Sequence, residues 1–273
     1  MSRFSFRRSK SEPAVSDGQM SLMEHLGELR MRIIRSGLAV TLGAILVIAF
    51  YDLVMGWLLE PYRKLCSRKP ADYCGGSFDM KSGKVLLFNP DPIEGFAVRL
   101  KIGFYGGIVL ALPVLLWQLW KFVVPALHKN ERRYAVGFVG SSVALFALGG
   151  FIAFTTLERA LEFLISWAGE DVDPLFQVQA YVRLVTLMVV AFGVGFLIPV
   201  LLVFLQLIGV LTPQVLLRSW RYAIVGVFFV AAAITPSGDP ISLMALSVPM
   251  VILYFLAILV GRLVQRHRQR AAA

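Results

Sequence analysis

The sequence predicts an all-α, polytopic membrane protein with six transmembrane helices, some kinked by proline, and with the last two joined by a short outer turn. Three observations carry this. Hydrophobic residues make up 58% of the 273-residue chain, charged residues only 16%, and the mean hydropathy is +0.72, outside the range in which a soluble domain can hide its apolar groups. The apolar residues gather into runs of bilayer-spanning length. The bases sit in short clusters at the ends of those runs. The net charge of +10 therefore reads as topological charge and not as a nucleic-acid surface, which would need a continuous patch.

Residues 1 to 19 hold Arg3, Arg7, Arg8 and Lys10 among serines and form a basic tail of disordered composition. Residues 20 to 262 read as one membrane domain, and residues 263 to 273 as a second basic tail. Ser21 and Glu24 have capping-box spacing, and Leu22, Leu26, Leu29 and Ile33 recur at helical intervals opposite Glu24, Glu28, Arg32 and Arg35. This amphipathic helix is expected to lie at the membrane surface and lead into a first span, Ile33 to Phe50.

Tyr51 to about Glu94 reads as the largest loop, with Pro61, Pro70, Pro90, Pro92 and a Gly75-Gly76 pair. Span two runs from about Phe96 to Trp120 with Pro113 inside. Span three runs from Tyr134 to Phe154, its periodicity continuing through Leu157, Leu161 and Leu164. A loop ending near Arg183 precedes span four, which starts at Leu184, contains Pro199 and Gln206, and stops near Leu211 ahead of Thr212-Pro213. Tyr222 to Ile234 makes a short fifth span, which a re-entrant segment would also satisfy, and Ile241 to Val260 a sixth.

The loop charges orient these spans. One side holds seven bases up to Arg35, four between residues 121 and 133, Arg218 and Arg221, and four after Gly261. On the other side, the first loop holds six bases balanced by acids, residues 155 to 182 hold only Arg159, and the last turn none. The positive-inside rule then places both termini in the cytoplasm.

Catalytic chemistry finds little support. His25, His128 and His267 lie at span ends or in tails, without paired intramembrane carboxylates, and no phosphate-binding glycine loop occurs. Cys66 and Cys74, eight positions apart, lack the further ligands a zinc site needs; a local disulfide and two free thiols are both open. No metal or cofactor is expected. A secondary transporter of a small molecule is an alternative, but it predicts an internal repeat and converging polar groups. An intramembrane enzyme would require a buried catalytic pair. Gln206 is the main polar candidate for a transport role in span four, but an amide satisfied by a neighbouring helix is the more frequent case.

Two inner-side stretches are distinctive: His25-Leu26-Gly27-Glu28-Leu29-Arg30-Met31-Arg32, and Gln118-Leu119-Trp120-Lys121-Phe122-Val123-Val124-Pro125-Ala126-Leu127-His128-Lys129-Asn130-Glu131-Arg132-Arg133. By themselves, Glu28 reads as half of a surface i, i+4 ion pair with Arg32, and Glu131 as a favourable charge at a helix start. Together, however, they resemble the signatures of the TatC family, the receptor component of the twin-arginine protein translocase. Pro61, Phe196-x-x-Pro199 and Thr235-Pro236-x-x-Asp239 extend the resemblance over about residues 20 to 262.

The resemblance implies a non-enzymatic translocase subunit of the bacterial cytoplasmic membrane, driven by the proton-motive force. It would bind twin-arginine signal peptides of folded cargo and assemble with small single-span partners of the TatA and TatB type in a multimeric complex. Glu28 and Glu131 would each offer a carboxylate to the guanidinium groups, with Arg30, Phe122 and Arg132 around the signal. Pro113 and Pro199 would bend helices, Pro61 and Pro125 belong to the family motifs, and Asp239 would order the outer turn. Many relatives carry a Glu after the Phe of the fourth-span motif; this chain has Leu197, so no role of that Glu is carried over.

Overall fold

A computed structural model describes residues 22–68, 74, 78–79, 84–85, 87–88, 90–123, 135–168 and 176–272. Among these, helices account for nearly all the structure: α1 (Leu22–Ala49), α2 (Tyr51–Leu58), α3 (Glu60–Arg68), α4 (Pro92–Val123), α5 (Ala135–Ala168), α6 (Val178–Leu207), α7 (Pro213–Arg218), α8 (Trp220–Ile234) and α9 (Pro240–Ala272). A two-residue ladder, β1 (Phe78–Asp79) with β2 (Lys84–Val85), is too small to alter the all-α class. Five helices, α1, α4, α5, α6 and α9, are long and apolar enough to cross a membrane, and α8 is a shorter sixth.

The helices alternate in direction. The start of α1 meets the end of α4, where Arg32 reaches the carbonyl of Gln118. The end of α4, the start of α5 and the end of α6 meet through Trp120, Val139 and Phe204. Tyr254 and Ile258 of α9 pack on Leu216 of α7 at the same face, so the chain enters and leaves the bundle on one side. At the opposite face α2 and α3 fold over the bundle. Tyr62 packs edge-on against Phe176 at 5.2 Å, Trp57 stacks on Phe154 at 4.3 Å, and Arg68 pairs with Glu158 at 2.7 Å.

Small residues set the closest helix approach. A Cβ on Gly107 would lie 2.7 Å from the Val40 carbonyl oxygen and 2.7 Å from the Ala44 amide nitrogen, and one on Gly43 would lie 2.9 Å from the Gly107 carbonyl oxygen. Apolar side chains gain little by leaving lipid for another helix, so such backbone-level packing does the work of association. The seam makes α1 and α4 one unit; Gly149 against the Phe192 carbonyl joins α5 to α6 in the same way.

The structure corrects several sequence expectations. The amphipathic stretch and first span form one unbroken helix, α1, so residues 22–32 extend the span instead of making a separate surface segment. Residues 51–68, expected as loop, are helical, because apolar Leu58, Tyr62 and Leu65 find a buried face on the bundle. Span four starts at Val178 and not Leu184: Phe88 bridges Gln177 and ends the extended segment there, and Arg183 stays exposed within the helix. It stops at Leu207 and not Leu211, because Gly209 takes a left-handed conformation, φ +79°, that breaks the helix. Thr212 then caps α7 by accepting from the Val215 amide. Prolines lie inside α4 (Pro113), α6 (Pro199) and also α9 (Pro249), each removing one helical hydrogen bond.

Candidate functional site

The candidate site is built where α1 and the end of α4 converge. Glu28 and Arg32 lie one turn apart on α1 and form an ion pair through Glu28 Oε1 and Arg32 Nη2. Arg32 is not the surface residue the sequence suggested: only 9% exposed, it also donates from Nη1 to the main-chain carbonyl of Gln118 at 3.1 Å. Its burial follows from the glycine seam two to three turns further along, which brings α4 close enough to cover it. The guanidinium thus joins the two stretches that carry the family resemblance.

Two acceptors remain at this junction. Glu28 Oε2 and Gln118 Oε1 are buried and accept no hydrogen bond. An apolar groove of about 510 Å³ leads away between α1 and α4, walled by Leu29, Ile33, Val40, Leu115 and Leu119 along with Arg32 and Gln118. Arg30 projects from α1 as an exposed residue, and Phe122 lies in the closing residues of α4. Glu131, Arg132 and Pro125 lie outside the described residues.

The remaining singled-out residues are structural in their contacts. Pro61 is buried in the first turn of α3, and Pro113 lines a large apolar cavity between α4, α5 and α6. Pro199, also buried, lines a second apolar groove between α5, α6 and α9. Asp239, 1% exposed, caps α9 by accepting from the Ser242 amide at 2.6 Å and from the Ser237 hydroxyl. Gln206 donates to the carbonyls of Leu202 at 3.2 Å and Ala257 at 3.1 Å, the second on a neighbouring helix. Cys66 of α3 and Cys74 form a buried disulfide, with Cα atoms 5.7 Å apart.

Sequence reasoning missed Arg32 and Gln118 as parts of the site. The available signal was the Gly103, Gly106 and Gly107 spacing on α4, a small-residue face that brings a partner helix close.

A bundle of six apolar helices, with a charged junction at one end and apolar cavities elsewhere, defines a polytopic membrane protein. The family model described as Sec-independent protein translocase protein (TatC) matches residues 24–249. Relatives of that name include those of Frankia casuarinae, 35% identical over 97% of this chain and 71% of the relative, and Aquifex aeolicus, 34% identical over 92% and 98%. Two crystal structures of the twin arginine translocase receptor TatC superpose with TM-scores of 0.66 and 0.68 at 32% identity, covering 88% and 87% of this chain and 98% and 99% of theirs. The chain belongs to the TatC family and is a subunit of the twin-arginine protein translocase.

Proposed function

We propose that this subunit is the receptor that takes twin-arginine signal peptides of folded proteins at the cytoplasmic face and nucleates the translocon. The observation that carries the reading is the Arg32 guanidinium, which binds Glu28 and the end of α4 together and so presents a carboxylate where the two motif stretches meet. A carboxylate partly withdrawn from water is the group that a guanidinium recognises most strongly, through charge-assisted bonds. Glu131 would add the second carboxylate and Arg30, Phe122 and Arg132 the surroundings, by family resemblance.

The bases near the α1 start, at Arg218 and Arg221 and after Gly261 favour a cytoplasmic location for that face, with both termini inside and the protein in the bacterial inner membrane. Partners would be single-span subunits of the TatA and TatB type in a multimeric complex energised by the proton-motive force. The role needs binding and no covalent catalysis. A small-molecule transporter is disfavoured, because the cavity between α4, α5 and α6 and the groove between α5, α6 and α9 are walled by apolar side chains, with Tyr105, Ser141 and Thr186 as the polar exceptions among the described residues.

The test is crosslinking of a twin-arginine signal peptide to the membrane-embedded protein, comparing wild type with Glu28→Ala, Glu131→Ala and a twin-lysine signal. Capture should depend on the arginines and weaken on either Glu replacement. Capture indifferent to all three changes would reduce both glutamates to helix-end charges.

A further inference from the structure

We propose that Arg32 is a positioning residue for the Glu28 carboxylate and that the Gln118 side-chain carbonyl is a further acceptor for the incoming guanidinium. This rests on the receptor reading above. Arg32 uses two nitrogens of one planar fork, Nη1 on the Gln118 main chain at 3.1 Å and Nη2 on Glu28 Oε1, so a single rigid group fixes the carboxylate relative to α4. The pairing consumes only one Glu28 oxygen. Glu28 Oε2 on α1 and Gln118 Oε1 on α4 are both buried and without a donor among the described residues, and a buried acceptor is ordinarily satisfied by a partner or by water.

In the proposed complex one group supplies the donors to both acceptors, one on each helix. A guanidinium presents five N–H bonds in a fixed plane, whereas an ammonium directs three from one point. Charge also favours geometric selection. Because Arg32 already offsets the charge of Glu28, a second cation gains less from simple attraction here than beside a lone carboxylate, and more of its binding must come from well-directed hydrogen bonds. Arg32 is therefore a fixed part of the seat, anchored to the backbone, and it makes the seat discriminate arginine from lysine.

The experiment measures binding of a fluorescent twin-arginine peptide and its twin-lysine counterpart to the detergent-solubilised full chain, for wild type, Gln118→Met, Arg32→Gln and Arg32→Lys, with the melting temperature of each. Gln118→Met should lower the arginine-over-lysine affinity ratio roughly tenfold, the usual scale of one charge-assisted hydrogen bond, without lowering the melting temperature. Arg32→Gln should lower the same ratio, and Arg32→Lys should fail to restore it, because an ammonium cannot bridge as the fork does.

Ratios within twofold of wild type in both Gln118→Met and Arg32→Gln, with Glu28→Ala still abolishing binding, would overturn this assignment and leave the receptor reading intact. Tighter binding by Arg32→Gln would overturn it too, by making Arg32 a competitor. If Arg32→Gln does not fold, Gln118→Met alone decides. Wild type showing no preference for the arginine peptide would overturn the receptor reading itself.

Discussion

The hydroxyl of Tyr181 donates to the main-chain carbonyl of Leu58 at 2.8 Å, a buried bond that spans 123 positions of sequence and ties the start of α6 to the end of α2. A helix end has carbonyls that its own turns cannot satisfy, and this one is met by a side chain from another span.

Removing that donor should loosen the cap that α2 and α3 form over the bundle. Tyr181→Phe leaves the Leu58 carbonyl buried without its partner and should cost about 1–3 kcal/mol. A lowered melting temperature and faster proteolysis between α2 and α4 would register it; an unchanged protein would mean that the α2 terminus is held by packing alone.

Tyr62 should make the cap sensitive to alkali. Its hydroxyl is buried without a hydrogen-bond partner, and burial pushes its pKa up to about 12. The folded state therefore holds the phenol proton more tightly than the unfolded chain, whose tyrosines titrate near 10. Stability is fully present below about pH 10 and declines from there towards pH 12, by about 1.4 kcal/mol per pH unit. Tyr62→Phe should flatten that part of the pH–stability curve and leave neutral-pH stability unchanged or improved. A curve identical to wild type would sink the idea.

The α1–α4 seam should tolerate no side chain at its centre. Gly107→Val drives a branched Cβ into the Val40 and Ala44 backbone, 2.7 Å away, which only helix separation can relieve. Loss of several degrees in melting temperature is expected, with weaker signal-peptide capture as Arg32 loses its cover. Gly137→Ala, where a Cβ would meet nothing within 4 Å, is the matched control and should melt within a degree or two of wild type.

Gln206 and Gly261 should prove coupled. A Cβ on Gly261 would collide with the Gln206 side-chain carbonyl, so Gly261→Ala should destabilise the α6–α9 contact. Adding Gln206→Ala should recover part of the loss, because the colliding group is gone. A double-mutant cycle of melting free energies should return a coupling of roughly 0.5–3 kcal/mol; strict additivity would show that the helices move apart freely.

The spans were legible because the bilayer imposes a length and composition on each, and that pressure is local in sequence. Helix limits were less so. The start of α6 is set by Phe88, about 90 positions upstream, through a bridge to Gln177, and no local pattern near Leu184 records it. The helical nature of residues 51–68 was hidden for a similar reason: eight- and nine-residue helices are marginal alone and persist here because Tyr62 and Leu65 are buried by other spans and Cys66 is tied to Cys74.

The candidate site was half legible. Glu28 could be named from its motif, but its i, i+4 spacing to Arg32 looks the same on a wet helix as on a covered one. What distinguishes them is α4, brought there by Gly107, whose chain distance from Arg32 conceals the relationship. Gln206 was read correctly for its amide nitrogen, which donates to Leu202 and to Ala257 on a neighbouring helix, but not for its oxygen, which is buried without a donor.

The 15 residues of α8 have a consequence for the surrounding lipid. At 1.5 Å per residue the helix is about 22 Å long, against a hydrocarbon thickness of about 30 Å. Lipids beside α8 must compress to keep its ends wet, at a cost that grows with the perimeter of thinned bilayer.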